Sequence, residues 1–334
     1  MNWYLQRGKD SDVIINCKVM FSRNLRNHRF NTKNITEIQE IENEVKSKLP
    51  ALGYNLRFIK IKDLDDLTKQ SFVEKGLIDE TAIKNENTSI LINDDENICI
   101  VLNSQDHIEI QVFNSGMELE STFNLAREID KKFEKTFDIA KSKKYGYLTS
   151  SPLDVGSGLK AEVTIHLPGL TMTGNIRKVA IAMANLGVSF SSKYVSGGEN
   201  IGDIYKMKNK QTLGISEDTI IKNLKAISEK MIEQERAARN ILGKNQIELE
   251  DMVYRDWGIL VNARKLKWKE AAKLMSSVKM GVDMGVIKEI SDDDVAKIYF
   301  YMDNANLQKY FNQNLDGYDR DIKRGEMIRN IVNK

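Results

Sequence analysis

Cysteine, histidine and proline are scarce in this chain of 334 residues, with two, three and three copies. Cys17 and Cys99 cannot build a disulfide framework and share no metal-ligand spacing. Two reduced thiols, at least one of them buried, are expected in a cytoplasmic protein without a metal site. Three prolines and 20 glycines leave little material for long disordered linkers. No apolar run approaches the ~20 residues that a membrane span needs. The start, MNWYLQRGKDSD, has no apolar stretch of a secretory signal. No membrane association is expected. A net charge of +2 is too small to predict nucleic-acid binding.

What remains is ordinary globular material, 41% hydrophobic and 29% charged. The length exceeds the roughly 250–300 residues at which single cores stop growing, so two domains are expected. Asp12–Asn16 and Phe58–Ile61 read as short strands. Thr36–Leu49 carries Ile38, Ile41, Val45 and Leu49 on one helical stripe. Ser89–Ile92 and Ile98–Leu102, split by NDDEN, read as a hairpin, with Ile108–Phe113 as the next strand. Met117–Phe137 reads as a long amphipathic helix. Apolar runs at Tyr147–Leu148 and Glu162–His166 flank a Gly/Ser loop. Arg177–Leu186 reads as a helix, and Val188–Tyr194 with Asp203–Asn209 as a strand pair. Strands joined by short turns, with helices between groups, predict an α+β fold with an antiparallel sheet flanked by helices.

Past Gly214 the pattern becomes helical. Ser216 precedes Glu217 and Asp218 as an N-cap, and Ile220, Leu224, Ile227, Met231 and Ile232 repeat at helical spacing through about Leu242. Glu248–Gly258, Lys267–Val278, Ser291–Met302 and Arg320–Val332 read as helices too. The expected division is a sheet-bearing domain over 1–214 and an all-helical domain over 215–334.

The loop SSPLDVGSG, Ser150–Gly158, is the first candidate for chemistry. Gly156 and Gly158 allow close backbone approach to a ligand and exposed N–H donors, which suits phosphate. By itself a GxG in a loop is more often a tight turn. The wider run YLTSSPLDVGSGLKAEVTIHLPG, from Tyr147 to Gly169, resembles the signature of the ATP:guanidino phosphotransferases, the creatine and arginine kinase superfamily. More closely it resembles the bacterial protein arginine kinases. SRNL at 22–25, LINDDENICIVLNSQDHIEIQ at 91–111, GDIYKMKNKQTLG at 202–214, YRDWGILVNAR at 254–264 and VKMGVDMGVI at 278–287 match that family in the same order. The resemblance implies a phosphagen-kinase-like catalytic domain followed by a helical one. It also implies transfer of the γ-phosphoryl of Mg-ATP to a guanidinium nitrogen, which requires dense positive charge and a carboxylate base.

Against that pattern the chain departs at the chemical positions. The family's five phosphate-binding arginines fall on Lys18, Met20, Glu109, Lys160 and Ser191, leaving two lysines, two neutral residues and one glutamate. A charge-assisted hydrogen bond lost from a desolvated phosphate site costs about 1.5–3 kcal/mol. Glu109 adds repulsion of about 4 kcal/mol for unit charges at 4 Å and an effective dielectric of 20. The family's guanidinium-orienting glutamate falls on Gln105, which cannot accept a proton at pH 7. Its reactive cysteine falls on Ser151, and the asparagine of the same motif becomes Asp154. His166, on an apolar run, reads as a packed strand residue, and His107 receives no catalytic role.

In the C-terminal part, DRDIKRGEMIR matches what the resemblance implies is a phosphoarginine pocket, with Arg320, Asp321 and Arg324 as its residues. Arg320 and Arg324, at i and i+4, share a helix face. On spacing alone the segment is a solvated charged helix end. The expectation is a degenerate family member, a pseudokinase with no nucleotide cofactor. It would act as a homodimer that binds phosphoarginine-bearing proteins, an active arginine kinase or a Clp-type unfoldase. The alternative is an active kinase with a rewired site, in which Lys18 and Lys160 hold phosphates and Glu109 or Asp154 replaces the base.

Overall fold

The structure, a computed structural model, describes residues 2–333. Twelve strands are present among them: β1 (Ile14–Arg23), β2 (Arg57–Lys60), β3 (Ser89–Ile92), β4 (Ile98–Leu102), β5 (Ile108–Ser115), β6 (Lys141–Ser142), β7 (Gly146–Tyr147), β8 (Leu159–His166), β9 (Val188–Ser192), β10 (Val195–Ser196), β11 (Glu199–Asn200) and β12 (Ile204–Asn209). The helices are α1 (Ile35–Lys48), α2 (Asp66–Glu74), α3 (Glu80–Lys84), α4 (Leu119–Thr136), α5 (Pro168–Met172), α6 (Ile176–Asn185), α7 (Glu217–Gly243), α8 (Gln246–Asn262), α9 (Trp268–Asp283), α10 (Asp292–Tyr301), α11 (Asn304–Phe311) and α12 (Gly317–Val332).

Eight strands form one antiparallel sheet in the order β2-β3-β4-β5-β1-β8-β12-β9. The expected hairpin is present as β3 and β4. β1 is longer than expected, reaching Arg23, and α2, α3 and α11 are helices that periodicity did not reveal.

Alternation of side chains along the central strands decides which face is which. Val19 and Phe21 of β1, Ile108, Ile110 and Val112 of β5, and Leu159, Ala161, Val163 and Ile165 of β8 are all buried on one face. α4 covers them with Phe123, Ala126, Ile129 and Phe133, and α7 with Ile220, Leu224, Met231 and Ile232, all in one apolar core. Each of the larger of these side chains, valine, leucine, isoleucine, phenylalanine or methionine, contributes about 1.5–3 kcal/mol on burial. Ser216 caps α7 as expected, its hydroxyl accepting from Thr219 N. A second core unites α8, α9, α10 and α12 through Val253, Met275, Val278, Ile298 and Ile328. A third, smaller core lies over the β3–β4 end of the opposite sheet face, under α2 and Trp3.

Candidate functional site

The same alternation turns every second side chain of the central strands to the other face. Register sets Met20 opposite Gln111 of β5 and Lys160 of β8, and Lys18 opposite Glu162. Lys208 of β12 also stands opposite Glu162. Four of the five predicted phosphate positions, Lys18, Met20, Glu109 and Lys160, together with Gln105, line one cavity of ≈ 800 Å³. Ser191 is exposed on the edge strand β9, opposite Lys206, and does not line it.

Two lysines that sequence reasoning did not single out also line this cavity, Lys206 and Lys208. Their signal is the KMK alternation at 206–208, which aims both at one face. Neither ammonium is free. Glu162 binds both, at 3.0 and 2.7 Å. Burial opposes the charge of Glu162, but Lys206, Lys208 and Lys18 outweigh it and hold the carboxyl down to about 2. Lys160 is tied to Asp154 at 2.6 Å, so Asp154 is a counter-ion and not a spare base. Lys18 donates to Gly76 O at 3.2 Å.

Glu109 is pushed the other way, from the ordinary 4.5 to about 7, first by burial and then by Asp106, with Lys18 and Lys160 pulling back. A carboxyl whose folded value is raised holds its proton longer in the native state. Its stabilising contribution is therefore full below about pH 4.5 and is lost as pH rises through 7. Glu109→Gln is expected to leave stability unchanged at pH 4 and to raise it by about 1–3 kcal/mol at pH 8. Urea unfolding at the two pH values checks this, and an equal loss at both would contradict it.

The SSPLDVGSG loop is built for protein contacts. Gly156 has φ 117° and a Cβ there would lie 2.5 Å from Thr212 O; at Gly158, φ 63°, it would lie 2.6 Å from the Arg23 guanidinium. The close approach that glycine permits is thus to the protein's own backbone and to Arg23, not to a ligand. Gly156 N donates to Tyr147 O, Ser157 N to Thr212 O, and Asp154 N to Ser151 O. Ser150 N donates to Asp106 Oδ1 at 2.7 Å, which also accepts from Asn24 Nδ2 at 2.6 Å. These donors are unavailable to a phosphate. Ser151 sits in this loop outside the cavity lining.

His107 is structural. Its Nδ1 accepts from Leu25 N and its Nε2 donates to Arg29 O at 2.9 Å, a pattern that fits the neutral ring. Burial pushes its pKa below the usual value. His166 is fully buried on β8, 2.9 Å from Ser276 Oγ.

A second cavity, of ≈ 660 Å³, lies between α2 and the α11–α12 region. Arg320 lines it, opposite Asp65, Asp66 and Glu74. Among the described residues the Arg320 side chain makes no hydrogen bond or ion pair. The shared helix face does not bring Arg324 to the same cavity. That guanidinium is fully buried and donates to Met302 O (2.8 Å), Leu266 O (2.7 Å), Asn304 Oδ1 (2.7 Å) and Asp321 Oδ1 (2.9 Å). Asp321 thus faces Arg324 first. Glu74 ties the two halves, accepting from Ala305 N and Asn306 N at 2.8 Å each.

Comparison with solved structures defines the class. The crystal structure of lombricine kinase superposes with a TM-score of 0.59 at 17% identity, covering 69% of this chain and 68% of that one. The duplicated taurocyamine kinase from Schistosoma mansoni gives 0.56 at 20% identity, covering 68% of this chain and 33% of that one. The fold is that of the phosphagen kinases. Residues 37–238 match the ATP:guanido phosphotransferase C-terminal catalytic domain, and residues 246–334 match the protein-arginine kinase McsB C-terminal domain. The protein-arginine kinase of Halothermothrix orenii is 36% identical over 336 aligned residues, covering 99% of this chain and 96% of that one. That of Bacillus subtilis is 35% identical over 335, covering 98% and 92%. The chain therefore belongs to the protein-arginine kinase family. No helix among the described residues is long and apolar enough to cross a membrane.

Proposed function

We propose that this family member has lost phosphotransfer and acts by binding. The observation that carries the reading is the neutralised cavity. Its lysines Lys160, Lys206 and Lys208 are each held by a protein carboxylate, and Glu109 lines the same cavity at a position where the resemblance implies a phosphate-binding arginine. A triphosphate entering there would have to displace Asp154 and Glu162 from their partners and face further carboxylates, Asp79 and Glu80, in the same lining. The residues do not fit Mg-ATP. Gln105, at the position where the resemblance implies the carboxylate that accepts the proton, lines the same cavity.

The binding function falls to the helical part. Arg320, without a hydrogen bond or ion pair among the described residues and with carboxylates across the cavity, has the two charges that a phosphorylated guanidinium would require. The reading is of a cytoplasmic homodimer that engages phosphoarginine-bearing proteins, an active arginine kinase or a Clp-type unfoldase. Exposed Ile241, Ile247 and Ile259 on α7 and α8 give apolar surface for such contacts.

One observation favours an active enzyme instead. A carboxyl near pH 7, such as Glu109, is suited to general base work. Radiolabelled Mg-ATP with an arginine-rich protein substrate decides the matter. The expected result is no phosphoarginine. Label transfer that disappears in Lys160→Ala would overturn the proposal.

A further inference from the structure

The floor of the ≈ 800 Å³ cavity carries two polar groups that have no hydrogen-bond partner among the described residues. Gln111 is 2% exposed, lines the cavity, and its Oε1 has no hydrogen-bond partner among the described residues. Glu109 lies two residues earlier on β5, on the same face, and its carboxyl makes no hydrogen bond or ion pair among them. An acceptor buried without a donor is costly, so a group that brings N–H bonds to this spot is favoured.

Charge divides the cavity into two ends. At the β8–β12 end Lys160 is committed to Asp154, and Lys206 and Lys208 to Glu162. Lys18, between the ends, donates to Gly76 O and lies 5.0 Å from the Phe113 ring centroid. At the other end Glu109 shares the lining with Asp79 and Glu80 at the start of α3, and Asp106, outside the lining, disfavours its ionisation. Asp79 is used as the cap of α3, accepting from Ala82 N at 2.8 Å and Thr81 Oγ1 at 2.6 Å, so Glu109 is the carboxyl of this end that has neither a hydrogen bond nor an ion pair among the described residues while the lysines of the first end are paired. The volume lies within the roughly 300–1,000 Å³ of small-molecule sites.

We propose that the β5–α3 end of this cavity binds a cationic, donor-rich group, an alkylammonium or a guanidinium, with Glu109 as its counter-ion and Gln111 Oε1 as a second acceptor. This inverts the charge preference of the position, and it rests on the reading that the cleft no longer holds a triphosphate. A cation at Glu109 also keeps that carboxyl ionised. The groups that face it are Lys18 from β1, Lys160 from β8, Asp106 from the β4–β5 turn and Asp79 beside α3, and ligand binding acts against the two lysines.

Calorimetry on the full chain tests this with agmatine, which carries a guanidinium and an ammonium, and cadaverine, which carries only ammonium groups. At pH 8 at least one of them is expected to bind. Glu109→Gln is expected to weaken that binding at least tenfold and Gln111→Leu severalfold. Binding by wild type is expected to weaken from pH 8 to pH 6, and that dependence to vanish in Glu109→Gln, which the pH-dependent stability above predicts to be well folded. A preference between the two probes assigns the group. No binding of either, or equal binding by Glu109→Gln, overturns the inference. If Mg-ATP also fails to bind, the loss of nucleotide function stands without it. If Mg-ATP binds and the amines do not, both readings fall.

Discussion

Replacement of Arg324 by alanine is expected to cost about 3–5 kcal/mol of folding stability, because it removes a fully buried guanidinium, leaves the half-buried Asp321 without its cation and strips several acceptors at once. Met302 O, Leu266 O and Asn304 Oδ1 would lose their donor, and Asp321 its cation. These acceptors come from the end of α10, the start of α11, the loop before α9, and α12 itself, so the loss loosens the second core where these segments meet. A fall in the unfolding midpoint on the order of 10 °C is expected. Arg320→Ala, one helical turn away and without a side-chain hydrogen bond or ion pair among the described residues, is expected to change stability by less than about 1 kcal/mol. It is also expected to abolish binding of free phosphoarginine. Thermal unfolding and calorimetry on the two variants separate the roles. A stable Arg324→Ala protein that loses only ligand binding would show that the buried bonds do not carry the fold.

Arg23→Ala is the other large effect. This guanidinium is completely buried and binds Asp130 with two parallel bonds of 2.8 and 2.7 Å. It also donates to Ser22 O and Ser157 O at 2.8 and 2.9 Å and stacks 3.5 Å from the Tyr147 ring centroid. Asp130 is itself buried, and burial keeps its carboxyl above the ordinary range even beside Arg23. Without the arginine the carboxylate is left uncompensated, at a cost of about 3–5 kcal/mol. Arg23 also pins the loop that contains Gly158, so the variant loosens Ser150–Gly158 and with it Asp106. The double variant Arg23→Leu with Asp130→Leu should recover part of the loss, since the pair is then replaced by apolar volume. Urea unfolding of the two proteins tests this. A double variant less stable than Arg23→Ala would contradict it.

The parts of the fold legible in the sequence were those with a strong period. The β3–β4 hairpin, α4 and α7 have clean alternation or a clean apolar stripe, and they appear at the expected places. α2, α3 and α11 are short, and tertiary contacts hold them. Their starts are fixed by Asp65, Asp79 and a carboxylate from elsewhere in the chain, Glu74. A local pattern cannot announce a cap that arrives from 231 residues away. The positions that the resemblance assigns to phosphate come from motif spacing, and strand register places four of them around one cavity. What the motif could not reveal is pairing. Asp154 looked like an added charge near a phosphate and is the counter-ion of Lys160. Glu162, Lys206 and Lys208 were missed because their meaning lies in cross-strand register, which joins residues more than 40 positions apart. Arg324 looked like a ligand residue because helical spacing puts it near Arg320. Spacing says nothing of the depth to which a side chain reaches, and this one ends among the carbonyls of its own core.

A sheet face on which Lys160, Lys206 and Lys208 are paired, and Glu109 has no ion pair among the described residues, is expected not to hold a nucleotide triphosphate. Calorimetric titration of the purified full chain with Mg-ATP at pH 7.5 tests it most directly. The predicted result is no heat of binding up to millimolar nucleotide. A dissociation constant in the micromolar range would contradict the account.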